Sequence, residues 1–255
     1  MNSIVCIKQV PDTESVIRID GEGTGIVEEG LTFVANPYDE YAVEEALRLR
    51  EKFGEGKVTV VTVGPQRVEE TIRYVLAMGA DEGVLIRDDE PRKRDSFSVA
   101  RCLAEVIKDM DYDVIFCGKQ AVDDDSAQVG AMLAELLDIP QATVVTKLEV
   151  ADDKRSAVAH REIEGGEEII EIQLPAVMTA QKGLNEPRFT SLRGIKMAMS
   201  KPIEIREMKV PEAKVKVIRL ERPPERSPGR ILEGEEVDVV GEFVQALKNE
   251  AKVIP

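Results

Sequence analysis

Three stretches of the chain carry residue types that suit ligand binding. The longest is Gly118-Lys119-Gln120-Ala121-Val122-Asp123-Asp124-Asp125-Ser126-Ala127-Gln128-Val129, closing on Gly130. Gly118 lets the backbone turn sharply after an apolar run. Ser126, Gln128 and the amides around them lie near a helix start, where unpaired N–H groups and the helix dipole attract phosphate. The three aspartates oppose a bare phosphate, yet accept from ribose hydroxyls or cap a helix. The other two stretches are Lys8-Gln9-Val10-Pro11-Asp12-Thr13 and Val63-Gly64-Pro65. Asn36-Pro37-Tyr38-Asp39 suits helix capping first and ligand contact second. Taken alone, the 118–130 loop reads as N-capping from Asp123 to Ser126 ahead of nucleotide binding. Neither a GxGxxG fingerprint after a strand nor a GxxxxGK[ST] loop is present. Cys6, Cys102 and Cys117 are widely spaced in apolar surroundings, and His160 is the lone histidine. Neither a zinc site nor a disulfide framework is expected.

The elements that position these stretches follow from periodicity. Ile4 to Val10 is a β-branched run, and Val58 to Val63, Val84 to Ile86 and Val114 to Cys117 read as strands buried on both faces. Between them, apolar residues recur at helical spacing. Asn36-Pro37 opens a helix through Ala42, Val43, Ala46 and Leu47 that Gly54 ends. Val68, Ile72, Val75 and Leu76 form a second, closed by Gly79; Val99, Leu103, Val106 and Ile107 a third; Val129, Met132, Leu133 and Leu136 a fourth. This order predicts an α/β fold, a doubly wound parallel sheet of Rossmann-like type, in which ligands bind beyond the carboxyl ends of the strands. After Pro140 come strands over Val144 to Val150, Ala157 to Ile163 and Glu168 to Leu174, with a turn at Gly165-Gly166. The α/β domain is expected to span 1–201. Residues 202–255, with Glu221-Arg222-Pro223-Pro224, Ser227-Pro228-Gly229 and a short amphipathic helix from Val240 to Leu247, read as an extended arm that wraps a partner, and composition alone fits a loose surface extension equally well.

Composition excludes several classes. Hydrophobic residues make up 43% of the 255, enough for a core. The net charge of −15 disfavours nucleic acid, which selects basic stripes. No apolar run reaches the roughly 20 residues needed to cross a bilayer. Met1-Asn2-Ser3-Ile4-Val5 begins a strand at once, so no signal peptide and a reducing cytoplasm are expected.

Several long motifs in one order resemble the electron-transfer flavoprotein β family. They are Lys8-Gln9-Val10-Pro11-Asp12, Asn36-Pro37-Tyr38-Asp39-Glu40 followed by Ala42-Val43-Glu44-Glu45-Ala46, Ala77-Met78-Gly79-Ala80-Asp81, the Gly118 to Gly130 loop, and Leu174-Pro175-Ala176-Val177 continuing to Leu184-Asn185-Glu186-Pro187-Arg188-Phe189. The resemblance runs from about Ile4 to Pro202. It implies a heterodimer with an α subunit that holds most of a working FAD, this chain closing one side. It also implies a second adenine nucleotide in this chain, AMP in conventional members and a second FAD in electron-bifurcating ones. The contacts carried over are Cys6, Asn36, Pro37, Tyr38, Asp39, Val63 and Gly118 through Val129. Pro11-Asp12-Thr13 resembles bifurcating members. Asp88-Asp89-Glu90-Pro91-Arg92-Lys93-Arg94-Asp95-Ser96 replaces a run typical of bifurcating members, and Val99 to Leu103, Asp124 and Leu184 to Arg188 resemble conventional ones, so AMP is favoured.

By the same resemblance, Arg188 to Met197 corresponds to a recognition loop that docks on acyl-CoA dehydrogenases. Leu192 is its anchor, with Arg188, Ile195 and Lys196 beside it. On the residues alone, Leu192 reads as core, and Ile195, Met197 and Met199 as a buried helix face. The implied role is a carrier, not an enzyme, passing electrons to a quinone oxidoreductase or similar acceptor. Flavin-based bifurcation from NADH is one alternative. A nucleotide sensor resembling the universal stress proteins is another; Glu186-Pro187-Arg188 and the long tail speak against it.

Overall fold

The structure, a computed structural model, describes residues 1–224 and 229–254, with backbone alone at 236–238. Its elements in chain order are β1 (Ser3–Cys6), β2 (Gln9–Pro11), β3 (Phe33–Ala35), α1 (Pro37–Phe53), β4 (Val58–Gly64), α2 (Val68–Met78), β5 (Glu82–Arg87), α3 (Ser96–Ile107), β6 (Val114–Gly118) and α4 (Val129–Leu137). There follow β7 (Gln141–Val150), β8 (Ser156–Ile163), β9 (Gly166–Gln173), β10 (Val177–Ala180), α5 (Leu192–Ala198), β11 (Ile203–Glu207) and α6 (Glu236–Asn249).

The main sheet runs β11-β5-β4-β1-β6-β10-β7-β8-β9. Pairing is parallel from β11 through β7, and β8 and β9 add an antiparallel hairpin edge. The chain leaves β1 for β4 and β5 on one side, then crosses back to β6 on the other. The β1/β6 boundary is therefore the point where strand order reverses, and the crevice beyond it is where such sheets take ligands. The expected doubly wound sheet is thus present. Val5, Val58, Val60, Leu85 and Phe116 face α1 and α2 across one layer of core. Ile4, Cys6, Val61, Ile86, Ile115 and Cys117 face α3 and α4 across the other.

Helix ends follow their residues. Pro37 opens α1, and Gly54 ends it in a left-handed turn suited to glycine. Asp95 caps α3 in a reciprocal box with Ser98. Three strands escaped sequence reading, one of them β3, whose three residues pair with β2. β10 sits in the parallel sheet between β6 and β7, and its four residues give too short a run to show a period. β11 alternates Ile203 and Ile205 with charged residues, the pattern of a sheet edge, and pairs with β5. The boundary expected after residue 201 therefore moves: one compact unit runs Met1–Leu220 and a second Glu221–Pro255. In the second, α6 extends the expected 240–247 helix in both directions, and Arg230 pairs with Glu242 and Glu250. Ser227-Pro228 of the expected turn lies outside the described residues.

Candidate functional site

A cleft of about 460 Å³ opens beyond the carboxyl ends of β1, β4 and β6. It brings together the three stretches expected from the sequence. Cys6, Lys8, Gln9 and Pro11 come from β1 and the loop after it, Val63 from β4, and Gly118 through Ala121 from β6 and its loop. Asp123, Asp124, Ser126, Ala127, Gln128, Val129 and Gly130 continue that wall, and Asn36 and Asp39 close it from the start of α1. Four expected contact residues stand behind the lining. Pro37 begins α1, and Tyr38 packs under the Lys119 ammonium, 5.2 Å from its ring centre. The Val122 N–H donates to Asn36 Oδ1, and Asp125 accepts from Gln120 Nε2.

The loop after β6 folds this way because two glycines allow close approach. A Cβ at Gly118 would stand 2.3 Å from Asp39 Oδ1 and 2.8 Å from Tyr38 Cβ. A Cβ at Gly130 would meet Thr179 Cγ2 at 2.6 Å. Asp125 and Ala127 both take positive φ, so the loop is tightly wound. The helix it feeds starts at Val129, later than expected, and its first turn has no side-chain cap. The expected capping by Asp123 to Ser126 is replaced by an Asx turn, Ser126 N–H to Asp124 Oδ1 at 3.1 Å. The first residues of α4 line the cleft and carry no side-chain cap, the arrangement that receives an anionic group.

Asn36 does not cap α1 with its side chain. It donates to Asp39 Oδ1 and Gln120 O, each at 2.9 Å, and so ties α1 to the distant loop. Asp39 completes the tie. Its carboxyl accepts from Lys8 N–H at 2.7 Å and Gly118 N–H at 3.0 Å, joining two loop stems to the helix. Burial pushes this carboxyl up to about 7, against the N–H donors that favour its anion. The aspartates of the loop are also engaged. Lys8 Nζ reaches Asp123 at 2.7 Å and Asp124 at 3.0 Å. Desolvation would raise Asp124, yet the Lys8 charge leaves it below its ordinary value. One Lys8 charge is thereby shared between two of the three carboxylates that oppose a phosphate, balancing one of them.

The far wall was not foreseen. Asp88, Arg94, Asp95, Ser96, Val99 and Leu103 line it, from β5 into α3. Asp88 is buried and holds Arg94 at 2.8 Å. The signal was available, since this segment leaves the carboxyl end of the next parallel strand. Val63, Val99 and Leu103 give the cleft an apolar side opposite its amides, as a planar ring with an anionic tail requires.

A second site candidate lies on the 185–199 segment. Leu192 is 88% exposed and Phe189 99% exposed, and Ile195, Met197 and Met199 are exposed as well. The core reading of Leu192 and the buried-face reading of α5 are therefore incorrect. Only Ala198 of this helix is buried, and Gly194 lies against the Ala77 carbonyl oxygen. Lys196 is exposed, but Arg188 is not the free surface charge expected. Its guanidinium bonds Glu44 at 2.7 Å and Glu51 at 2.6 Å, clasping the segment to α1. Arg73 donates to the Ala198 and Lys201 carbonyls, each at 2.6 Å, and fixes the other end. An apolar surface is thus presented on a held frame. No described helix is long and apolar enough to cross a membrane, and no described group of His, Cys, Asp and Glu is arranged for a metal.

The Electron transfer flavoprotein domain family model matches residues 23–212. The electron transfer flavoprotein subunit beta of Bacillus subtilis is 44% identical over 100% of both chains. The subunit beta of Mus musculus is 40% identical over 90% of this chain and 91% of its own. The caffeyl-CoA reductase-Etf complex subunit CarD of Acetobacterium woodii is 38% identical over 97% of this chain and 98% of its own.

Proposed function

The chain belongs to the electron transfer flavoprotein β-subunit family, and on that premise we propose that it pairs with an α subunit and carries electrons from acyl-CoA or related dehydrogenases to a quinone oxidoreductase or similar acceptor. In this reading an FAD shared with the α subunit supplies the electron-carrying chemistry. This chain's own part is to close one side of that flavin, to hold a structural AMP in the β1/β6 cleft and to present Leu192 to the dehydrogenase.

One observation carries the reading: segments far apart in sequence, at Lys8 and Gly118, converge through Asp39 on a single cleft at the switch point. The uncapped amides of α4 suit a phosphate, the loop aspartates are tied off by Lys8 and Gln120, and Val63, Val99 and Leu103 suit an adenine ring. The cleft lies in the lower half of the usual size range for ligand sites, which favours a mononucleotide over a second FAD.

Bifurcation with a second FAD is the competing reading, motivated by the CarD relative, named as part of a caffeyl-CoA reductase complex. The wall at 88–96 supports AMP instead, since Asp88 and Arg94 are committed to each other. Counting flavin by absorbance in the purified heterodimer separates these readings. One FAD per dimer fits the carrier and two fit bifurcation. None overturns both and returns the chain to a nucleotide sensor.

A further inference from the structure

We propose that Cys6 and Cys117 form a dithiol site in the cleft wall, which small disulfide-class oxidants convert to a cross-strand disulfide when the cleft is open. The two residues are register partners on adjacent parallel strands, at the point where strand order reverses. Neighbouring strands lie about 4.8 Å apart, inside the roughly 4.4–6.8 Å of Cα separation that a disulfide spans. Both side chains emerge on the α3/α4 face and both line the cleft. They are 7% and 5% exposed, and both thiols are free.

The strand interiors around them carry Ile4, Ile115 and Val61, the ordinary filling of a sheet buried on both faces. Thiols replace that filling side by side, where the sheet opens to the cleft. The neighbouring Cys117 thiol and burial both push the Cys6 thiol up. Cys102 provides an internal comparison: it is free and buried in the same apolar layer but does not line the cleft.

The reaction balances with a small disulfide. The Cys117 thiolate attacks its S–S bond, expels one thiol and leaves a mixed disulfide. Cys6, deprotonated, attacks the Cys117 sulfur and expels the second thiol. Two cysteine thiols lose two electrons, the oxidant becomes two thiols, and the two protons end on them. The inference rests on the proposed nucleotide site in one respect: AMP in the cleft covers this wall, so occupancy and oxidation exclude each other.

The test uses the α/β complex freed of nucleotide, treated with oxidised glutathione, alkylated and digested with trypsin. Lys8, Arg101, Lys108 and Lys119 place the three cysteines on separate peptides. The expected product is a Cys6–Cys117 linked peptide, with Cys102 alkylated, that dithiothreitol reverses. Excess AMP should lower its yield at least about tenfold, the mark of a site occupied far above its Kd. Recovery of alkylated Cys6 and Cys117, a mixed disulfide that goes no further, or a link through Cys102 overturns the dithiol. A Cys6–Cys117 link that AMP leaves undiminished upholds the dithiol and counts against the nucleotide reading of the cleft.

Discussion

Asp39 gathers N–H donors from Lys8, Asn36 and Gly118, so its removal leaves three donors without their acceptor. Asp39→Ala should cost on the order of 1–3 kcal/mol, the penalty for buried polar groups left unpaired, and should release the nucleotide. The pH dependence has a definite sign. An unfolded aspartate titrates at about 3.9, while burial raises the folded carboxyl to about 7. Between those values the folded chain binds more protons, so this residue makes stability fall as pH rises from about 4 to about 7. Urea unfolding between pH 5 and 8 should therefore show wild type and Asp39→Ala drawing closer as pH rises. Parallel curves would refute the assignment. Gly118→Ala forces a methyl against Asp39 and Tyr38 and should cost about 1–3 kcal/mol by overpacking, with loss of nucleotide. Gly21 has open space around it, so Gly21→Ala serves as the comparison and should stay within about 0.5 kcal/mol. Thermal midpoints of the two variants decide. At this scale the residues singled out around Lys8, Val63 and Gly118 converge on one cleft. It could not show that Asn36 spends its amide on the distant Gln120, because capping is judged from neighbours alone.

The helix α1 links the two candidate sites. Its first turn carries Asn36 and Asp39 at the cleft, and its later turns carry Glu44 and Glu51, which clasp Arg188. That clasp leaves Leu192 projecting into solvent on a short helix fixed at both ends. Leu192→Ala leaves no cavity, so folding stability should change by no more than about 0.5 kcal/mol. If Leu192 anchors a dehydrogenase, the complex should weaken by about 2 kcal/mol, roughly thirtyfold in Kd. The loss should appear mainly as faster dissociation. Thermal midpoint and dehydrogenase-dependent flavin reduction are the paired readouts. Unchanged electron transfer would remove this surface from the docking site. Elements with strong periodicity, such as α2 and α3, were legible almost to their ends. β10 and β11 were not, because so short a strand has no period and an edge strand alternates like a loop. Leu192 and its neighbours misled for a related reason. Apolar residues at helical spacing look the same whether they face a core or a partner.

At the scale of the molecule, the chain combines a closed α/β unit with a second unit whose helix α6 exposes Val240, Phe243 and Val244. Unpartnered apolar residues on a charged, proline-rich segment suit an arm that packs on another subunit, and the net charge of −15 suits selection of a protein partner. The family was legible from motif order, while the identity of the dehydrogenase and of the acceptor was not, since both act through surfaces that the chain does not bury against itself. The account turns on what the β1/β6 cleft holds. Acid release of small molecules from the purified α/β complex, followed by chromatographic identification, addresses this directly. One AMP and one FAD per heterodimer is the predicted result. Two FAD without AMP, or FAD with no second nucleotide at all, would contradict it.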